Sequence, residues 1–352
     1  MRPRSKVMLL ALGWVLAISG LQAYLNVNWA AVLNEYRPLN ERKITVAYLP
    51  VTCQLTCPVT DYISKYSLSG EEFLPRMFQG FPEMKEALIS NRVQAAFIVA
   101  PMALALKAQG VPIKVVYLGH RYGSAVVVQK NGPIKTFADM RGKTIAIPSR
   151  FSDERLLLFR AMKVWGIKPS EIKMVEMAPP DVSGALAAHA IDAFVMGEPF
   201  PSQAEMAGYG RVLFQARDYW PDYMSCILVV RQDLIDRRPD VVQVLVDGIA
   251  RSGLWLDTSK PHREDAADFV GRFYYNQKPA LLRWALTKPM DRVVYSPLAP
   301  RKNDFDMVRD LMMETGVLNK KLDFSDYADT RFSDNARTQT SWKYEPGIAT
   351  AK

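Results

Sequence analysis

Only three cysteines and three histidines occur among the 352 residues, and none of them falls into zinc-finger spacing. No Lys/Arg block and no RNA-binding aromatic signature accompany the formal charge of +9, part of which lies in Arg2, Arg4 and Lys6. That diffuse basic excess suits anionic ligands or surfaces and argues against a nucleic-acid partner. A Gly-rich run followed by Lys is absent, which excludes a phosphate loop. Nothing resembles a nucleophile–base pair, so the chain reads as a non-enzyme. What remains is ordinary globular material, 49% apolar and 23% charged, long enough for two domains with ample cores.

Residues 1–27 join a basic start to the apolar stretch VMLLALGWVLAISG, the pattern of an export signal. Leu21-Gln22-Ala23 is a poor cleavage site and no lipobox cysteine follows. The apolar character runs on to Val27, about the ~20 residues that span a bilayer, so an uncleaved anchor is also expected. Either outcome puts the body in the periplasm or another extracytoplasmic space, where disulfides persist.

After a polar spacer, KITVAYLP reads as a first strand. Pro58 suits the first helical position, which places Cys57 at or just before a helix over 59–66. The run from Phe81 to His120 then gives helix, strand, helix and strand, a β-α alternation that predicts α/β architecture. The pattern restarts with YGSAVVVQK and continues to MSCILVVR, with the amphipathic helix DERLLLFRAMKVW stopped by Gly166. The remainder to about Leu322 is mostly helical, and 333–352 reads as a loose tail. The expected division is lobe 1 over 43–122 plus 231–322 and lobe 2 over 123–230, joined by YGSAVVV and SCILVVR as two crossing strands. Ligands of open α/β sheets bind beyond the carboxyl ends of strands. That rule selects LPVTCQLTC, APM, GHRYGS, PSRFS and MGEPF, loops that two lobes would offer to one closing cleft.

The segment ALISNRVQAAFIVAPMALALKAQGVPIKVV resembles the NMT1/THI5-like (nitrate, sulfonate, bicarbonate and taurine-type) periplasmic binding proteins, and APPDVSGALAAHAIDAFVMGEPF is similar to their nitrate and bicarbonate receptors. RQDLIDRRPDVVQVLVDGIARSGLWLD and RVVYSPLAPRKNDFDMVRDLMMETGVL extend the likeness over roughly 43–332. The resemblance implies a two-lobed type II periplasmic-binding-protein fold, each lobe a mixed sheet flanked by helices. It also implies a monomeric solute receptor feeding an ABC permease in the cytoplasmic membrane, with no cofactor. The chain departs from the pattern at Phe200, where a Trp is usual, at Pro148 to Ser152, where a His-Pro-Gly-Gly-like segment is usual, and at Cys53 and Cys57. It also lacks the CCC-type cluster of the pyrimidine-synthase members, whose enzymatic activity it is therefore not expected to share.

The selected loops supply the candidate ligand contacts. Thr52, Cys53, Gln54 and Cys57 come from the first, Pro101 and Met102 from the second, His120 from the third. Three readings of the thiols stand side by side. One is a local Cys53–Cys57 disulfide leaving Cys226 odd; a second is a soft-metal or thiol-reactive site of Cys53, Cys57, Cys226 and His120; the third is inert burial. A helix N-terminus would make the Cys57 thiol acidic. Ser149 and Arg150 with Ser152 form a candidate anion site before the amphipathic helix, although Asp153 and Glu154 would repel a full negative charge. Glu198 would hold a cationic group or pair with a base such as Arg150. Phe81, Met102, Phe151, Met196 and Phe200 would make an apolar wall, the lining a small organic ligand needs.

Overall fold

Runs of β-branched residues bounded by Pro and Gly set the strands, and in the computed structural model they build two five-stranded sheets. The structure describes residues 3–27, 29–38, 41–67 and 73–338. The chain divides into two compact units at Ile44/Thr45. The N-terminal unit holds α1 (Pro3–Asn26) and α2 (Trp29–Glu35). Asn34 closes a pair of hydrogen bonds on the Lys43 backbone, both 2.8 Å. Among the described residues no helix is long and apolar enough to cross a membrane. The side chains of residues 3–10, where the apolar run of α1 begins, lie outside the described part.

In the larger unit the strands are β1 (Ile44–Tyr48), β2 (Phe73–Met77), β3 (Ala95–Val99), β4 (Ile113–Leu118), β5 (Arg121–Tyr122) and β6 (Ser124–Gln129). They continue with β7 (Thr144–Ile147), β8 (Lys173–Glu176), β9 (Ala193–Gly197), β10 (Gly210–Gln215), β11 (Cys226–Arg231) and β12 (Val293–Val294). The first sheet runs β2-β1-β3-β11-β4 and the second β10-β6-β9-β7-β8. Both are mixed: β1 and β3 are parallel, whereas β11 lies antiparallel between β3 and β4. Likewise β7 is parallel to β8 and β9, and β6 is antiparallel to β9 and β10. Residues 226–230 therefore belong to the first sheet and not to lobe 2, because the returning strand fills the gap between β3 and β4. A two-stranded sheet of β5 and β12 sits where the chain crosses between the lobes.

The helices that matter for the site are α3 (Thr56–Ser67), α4 (Phe81–Ile89), α5 (Ala100–Ala108), α6 (Asp153–Trp165), α7 (Val182–Ala187) and α8 (Phe200–Ala207). After the short α9 (Ala216–Tyr219) and α10 (Gln232–Arg237) come α11 (Pro239–Thr258), α12 (Lys260–Val270), α13 (Pro279–Thr287) and α14 (Lys302–Glu314). Proline near the start of α4, α5, α8, α11 and α13 and left-handed Gly166 and Gly208 after α6 and α8 set their ends. α14 packs on both α5 and α6, so the C-terminal region touches each lobe. The expected loose tail starts too early: Gln243 donates to the Phe332 carbonyl and the Arg337 N–H donates to Asp247, which fastens this part of the chain to α11. Residues 339–352 lie outside the described part.

Candidate functional site

Strand direction decides which residues meet. β1, β3 and β4 end at Tyr48, Val99 and Leu118, and antiparallel β11 begins at the same end, with Cys226 opposite Val99 and Ile227 opposite Leu118. In the second sheet β7 and β9 end at Ile147 and Gly197, and antiparallel β6 begins there, with Ser124 opposite Gly197. The cluster between the lobes is assembled from those ends.

On the first lobe, Cys53 and Cys226 bring their sulfurs within 2.7 Å, and Gln54 Nε2 donates to Cys226 Sγ at 3.3 Å. The local Cys53–Cys57 pairing is thereby corrected. Cys53 turns toward β11, whereas Cys57 is the second residue of α3 and fully buried. Its thiol is not acidic either: burial, reinforced by the Asp61 carboxylate, pushes it well up. Burial likewise raises the Cys226 thiol, with Cys53 adding to it. Gly119 is what permits this approach, since a Cβ there would stand 2.1 Å from the Cys53 carbonyl oxygen and 2.9 Å from that of Cys226.

His120 is fully buried, with Nε2 3.1 Å from Thr52 Oγ1 and its ring edge-on to Tyr295. Desolvation lowers its pKa to about 3, so the imidazole is neutral. Nδ1 has no partner. Arg121, next along, is paired with Asp304 at 2.6 Å and donates to the Asp222 carbonyl, so it anchors the crossing. Among the described residues no group of three or more His, Cys, Asp or Glu side chains is arranged to hold a metal ion. The soft-metal set of Cys53, Cys57, Cys226 and His120 is not brought together.

Thr52 links the lobes: its N–H donates to the Glu198 carbonyl at 2.9 Å and its own carbonyl accepts from Tyr295. The Glu198 carboxylate takes Arg292 Nη1 at 2.6 Å and the Ser202 N–H at 3.1 Å. Its partner is thus Arg292 and not Arg150. Burial raises the Glu198 pKa, and Arg292 opposes that rise. Arg150 instead points outward, its side chain 69% exposed and paired with Glu176. Ser149 accepts the Phe151 N–H, and Ser152 caps α6 by accepting the Arg155 N–H. Phe81 and Phe200 are buried as the first residues of α4 and α8, and Pro101 and Met102 lie in the first turn of α5.

Sequence reasoning missed the most unusual feature, Asp153 and Glu154. Both are buried, Asp153 completely and Glu154 to 4% exposure. Neither Asp153 oxygen accepts a hydrogen bond. Burial, reinforced by the Glu154 charge, pushes its carboxyl well above the ordinary range. Glu154 Oε1 accepts from Ser124 at 3.0 Å, and Ser124 in turn accepts from Tyr223 at 3.1 Å, while Oε2 is unpartnered. Burial raises the Glu154 carboxyl as well. The available signal was two consecutive acids directly after a Ser cap that follows a buried strand.

The sequence profile of the NMT1-like family matches residues 37–271. The chain belongs to the NMT1-like family. The taurine-binding periplasmic protein of Escherichia coli K12 is 30% identical over 192 residues, 51% of this chain and 59% of that protein. A putative aliphatic sulfonates-binding protein of the same organism is 30% identical over 145 residues, 40% of this chain and 44% of that one. The chain thus spans less than two thirds of these curated relatives. Among solved structures, the zinc-bound ligand-binding component of an ABC-type import system from Staphylococcus aureus superposes with a TM-score of 0.75 at 26% identity. It covers 84% of this chain and 99% of its own. The periplasmic nitrate-binding protein of Synechocystis PCC 6803 matches in fold at TM-score 0.70 and 15% identity, over 82% of this chain and 86% of its own. The fold of this NMT1-like protein is therefore the two-lobed periplasmic-binding-protein fold.

Proposed function

We propose that this NMT1-like protein is the extracytoplasmic solute-binding receptor of an ABC importer. In this reading it is non-catalytic, encloses one small ligand between its lobes and delivers it to a permease in the cytoplasmic membrane. The observation that supports the reading best is the convergence of the strand ends of both sheets on one buried polar cluster at the lobe junction. The relatives above carry names of binding proteins, and their fold works by closing over a ligand. Direct cross-lobe hydrogen bonds from Thr52 to Glu198 fit a closed arrangement. Native mass spectrometry of the full chain, purified without denaturation, tests the reading. The expected result is a one-to-one small-molecule adduct released on unfolding; turnover of that molecule into a product would refute it.

A further inference from the structure

The relatives' names speak of taurine, sulfonates and nitrate, yet the junction of this chain is built for the opposite charge. A helix N-terminus attracts anions, and the start of α6 is already taken by the chain's own Ser152, Asp153 and Glu154. Arg150, the one cation of the PSRFS loop, is turned outward onto Glu176. Arg292 Nη1 and Arg121 Nη2 are paired with Glu198 and Asp304, although Arg292 Nε has no partner. The acceptors left unpartnered there are Asp153 Oδ1 and Oδ2 and Glu154 Oε2, with the Nδ1 of His120; Arg155 Nη1 and Arg292 Nε are unpartnered donors. Asp153, Glu154 and His120 are more than nine-tenths buried. An unpaired buried carboxylate is among the costliest groups a fold can carry, and such groups persist where a partner supplies the missing hydrogen bonds.

We propose that the ligand presents a compact, positively charged N–H donor, a protonated amine or amidine, to Asp153 and Glu154. This rests on the receptor reading and narrows its ligand class. Asp153 accepts two N–H bonds, the Tyr223–Ser124–Glu154 chain fixes the second acceptor, and His120 Nδ1 adds a neutral polar contact. Two carboxylates against one cation give a charge-assisted contact that a sulfonate or nitrate would turn into repulsion.

The test measures binding of benzamidine, taurine, ethanesulfonate and nitrate to the full chain by calorimetry and thermal shift. Taurine and ethanesulfonate differ only in the amino group. Benzamidine is expected to bind, taurine to bind ahead of ethanesulfonate, and nitrate not to bind. D153N is expected to weaken the cationic probes tenfold or more, the size of one lost charged hydrogen bond. R150A should leave them unchanged. D153N should also unfold no earlier than the parent, which separates lost binding from lost structure. Nitrate or ethanesulfonate binding that survives D153N and weakens in R150A would overturn the inference and leave the receptor reading standing. Silence from all four probes, with no adduct on the native protein, would overturn both.

Discussion

Replacing Arg292 by Met keeps the aliphatic stem and removes the charge from a pair whose members are only 8% and 1% exposed. Arg292 satisfies Glu198 at 2.6 Å, Ser202 Oγ at 3.0 Å and Glu205 at 3.2 Å, so its loss strands a buried carboxylate. Breaking a buried pair from one side costs about 3–5 kcal/mol. At about 2 °C per kcal/mol for a larger domain this lowers the melting temperature by roughly 6–10 °C. Glu198 already has a raised pKa from burial. Without Arg292 it rises further, and the folded state then binds a proton that the unfolded state releases above about pH 4.3. The sign follows: the R292M deficit grows with pH and shrinks on acidification, by up to about 3 kcal/mol between pH 7.5 and pH 5 at 1.36 kcal/mol per pH unit. Urea unfolding of parent, R292M, E198Q and R292M/E198Q at both pH values reads this directly. The double variant should recover most of the loss, since Gln still accepts the Ser202 N–H. Equal deficits at pH 7.5 and pH 5, or additive single effects, would refute the claim that Arg292 acts by compensating Glu198.

Three further outcomes follow from the junction. D153N should stabilise the ligand-free protein by about 1–3 kcal/mol, because the amide ends the burial of an unpaired charge; a lower melting temperature would count against that account. H120Q should gain about 2 kcal/mol on the parent between pH 7.5 and pH 5 in urea titrations. The folded imidazole stays neutral down to about pH 3 while the unfolded one takes up a proton below its ordinary 6.5, so the parent alone loses stability on acidification. Oxidation with diamide, followed by peptide mapping without reduction, should join Cys53 to Cys226 and leave Cys57 free; a Cys53–Cys57 peptide would contradict the observed sulfur positions.

Strands and helices were legible wherever the period was clean. ITVAY, AAFIV and CILVV read as strands, and DERLLLFRAMKVW read as a helix down to its Ser cap and Gly stop. β2 was not, because FLPRM is an edge segment with Pro75 and no alternation. The loops at the carboxyl strand ends were found by rule, and they do contribute Thr52, His120 and Glu198 to one cluster. Their partners were not found, because partner choice is a long-range fact. Glu198 meets Arg292, and Cys53 meets Cys226, through a strand order that local spacing does not encode. Asp153 and Glu154 were visible as acids, but their weight depends on burial, which tertiary packing creates and local sequence does not show.

The position of β11 constrains how the protein is made. The first sheet is completed from its middle, by a strand that emerges from the ribosome only after the whole of the second lobe. Until then β3 and β4 each present an unpaired inner edge, the kind of exposed template that invites aggregation. The cluster at the lobe junction likewise stays incomplete until Cys226 arrives opposite Val99. A chain truncated before β11 should therefore be a client for chaperones and proteases, whereas the second lobe, whose five strands are contiguous in sequence, can close its own sheet first.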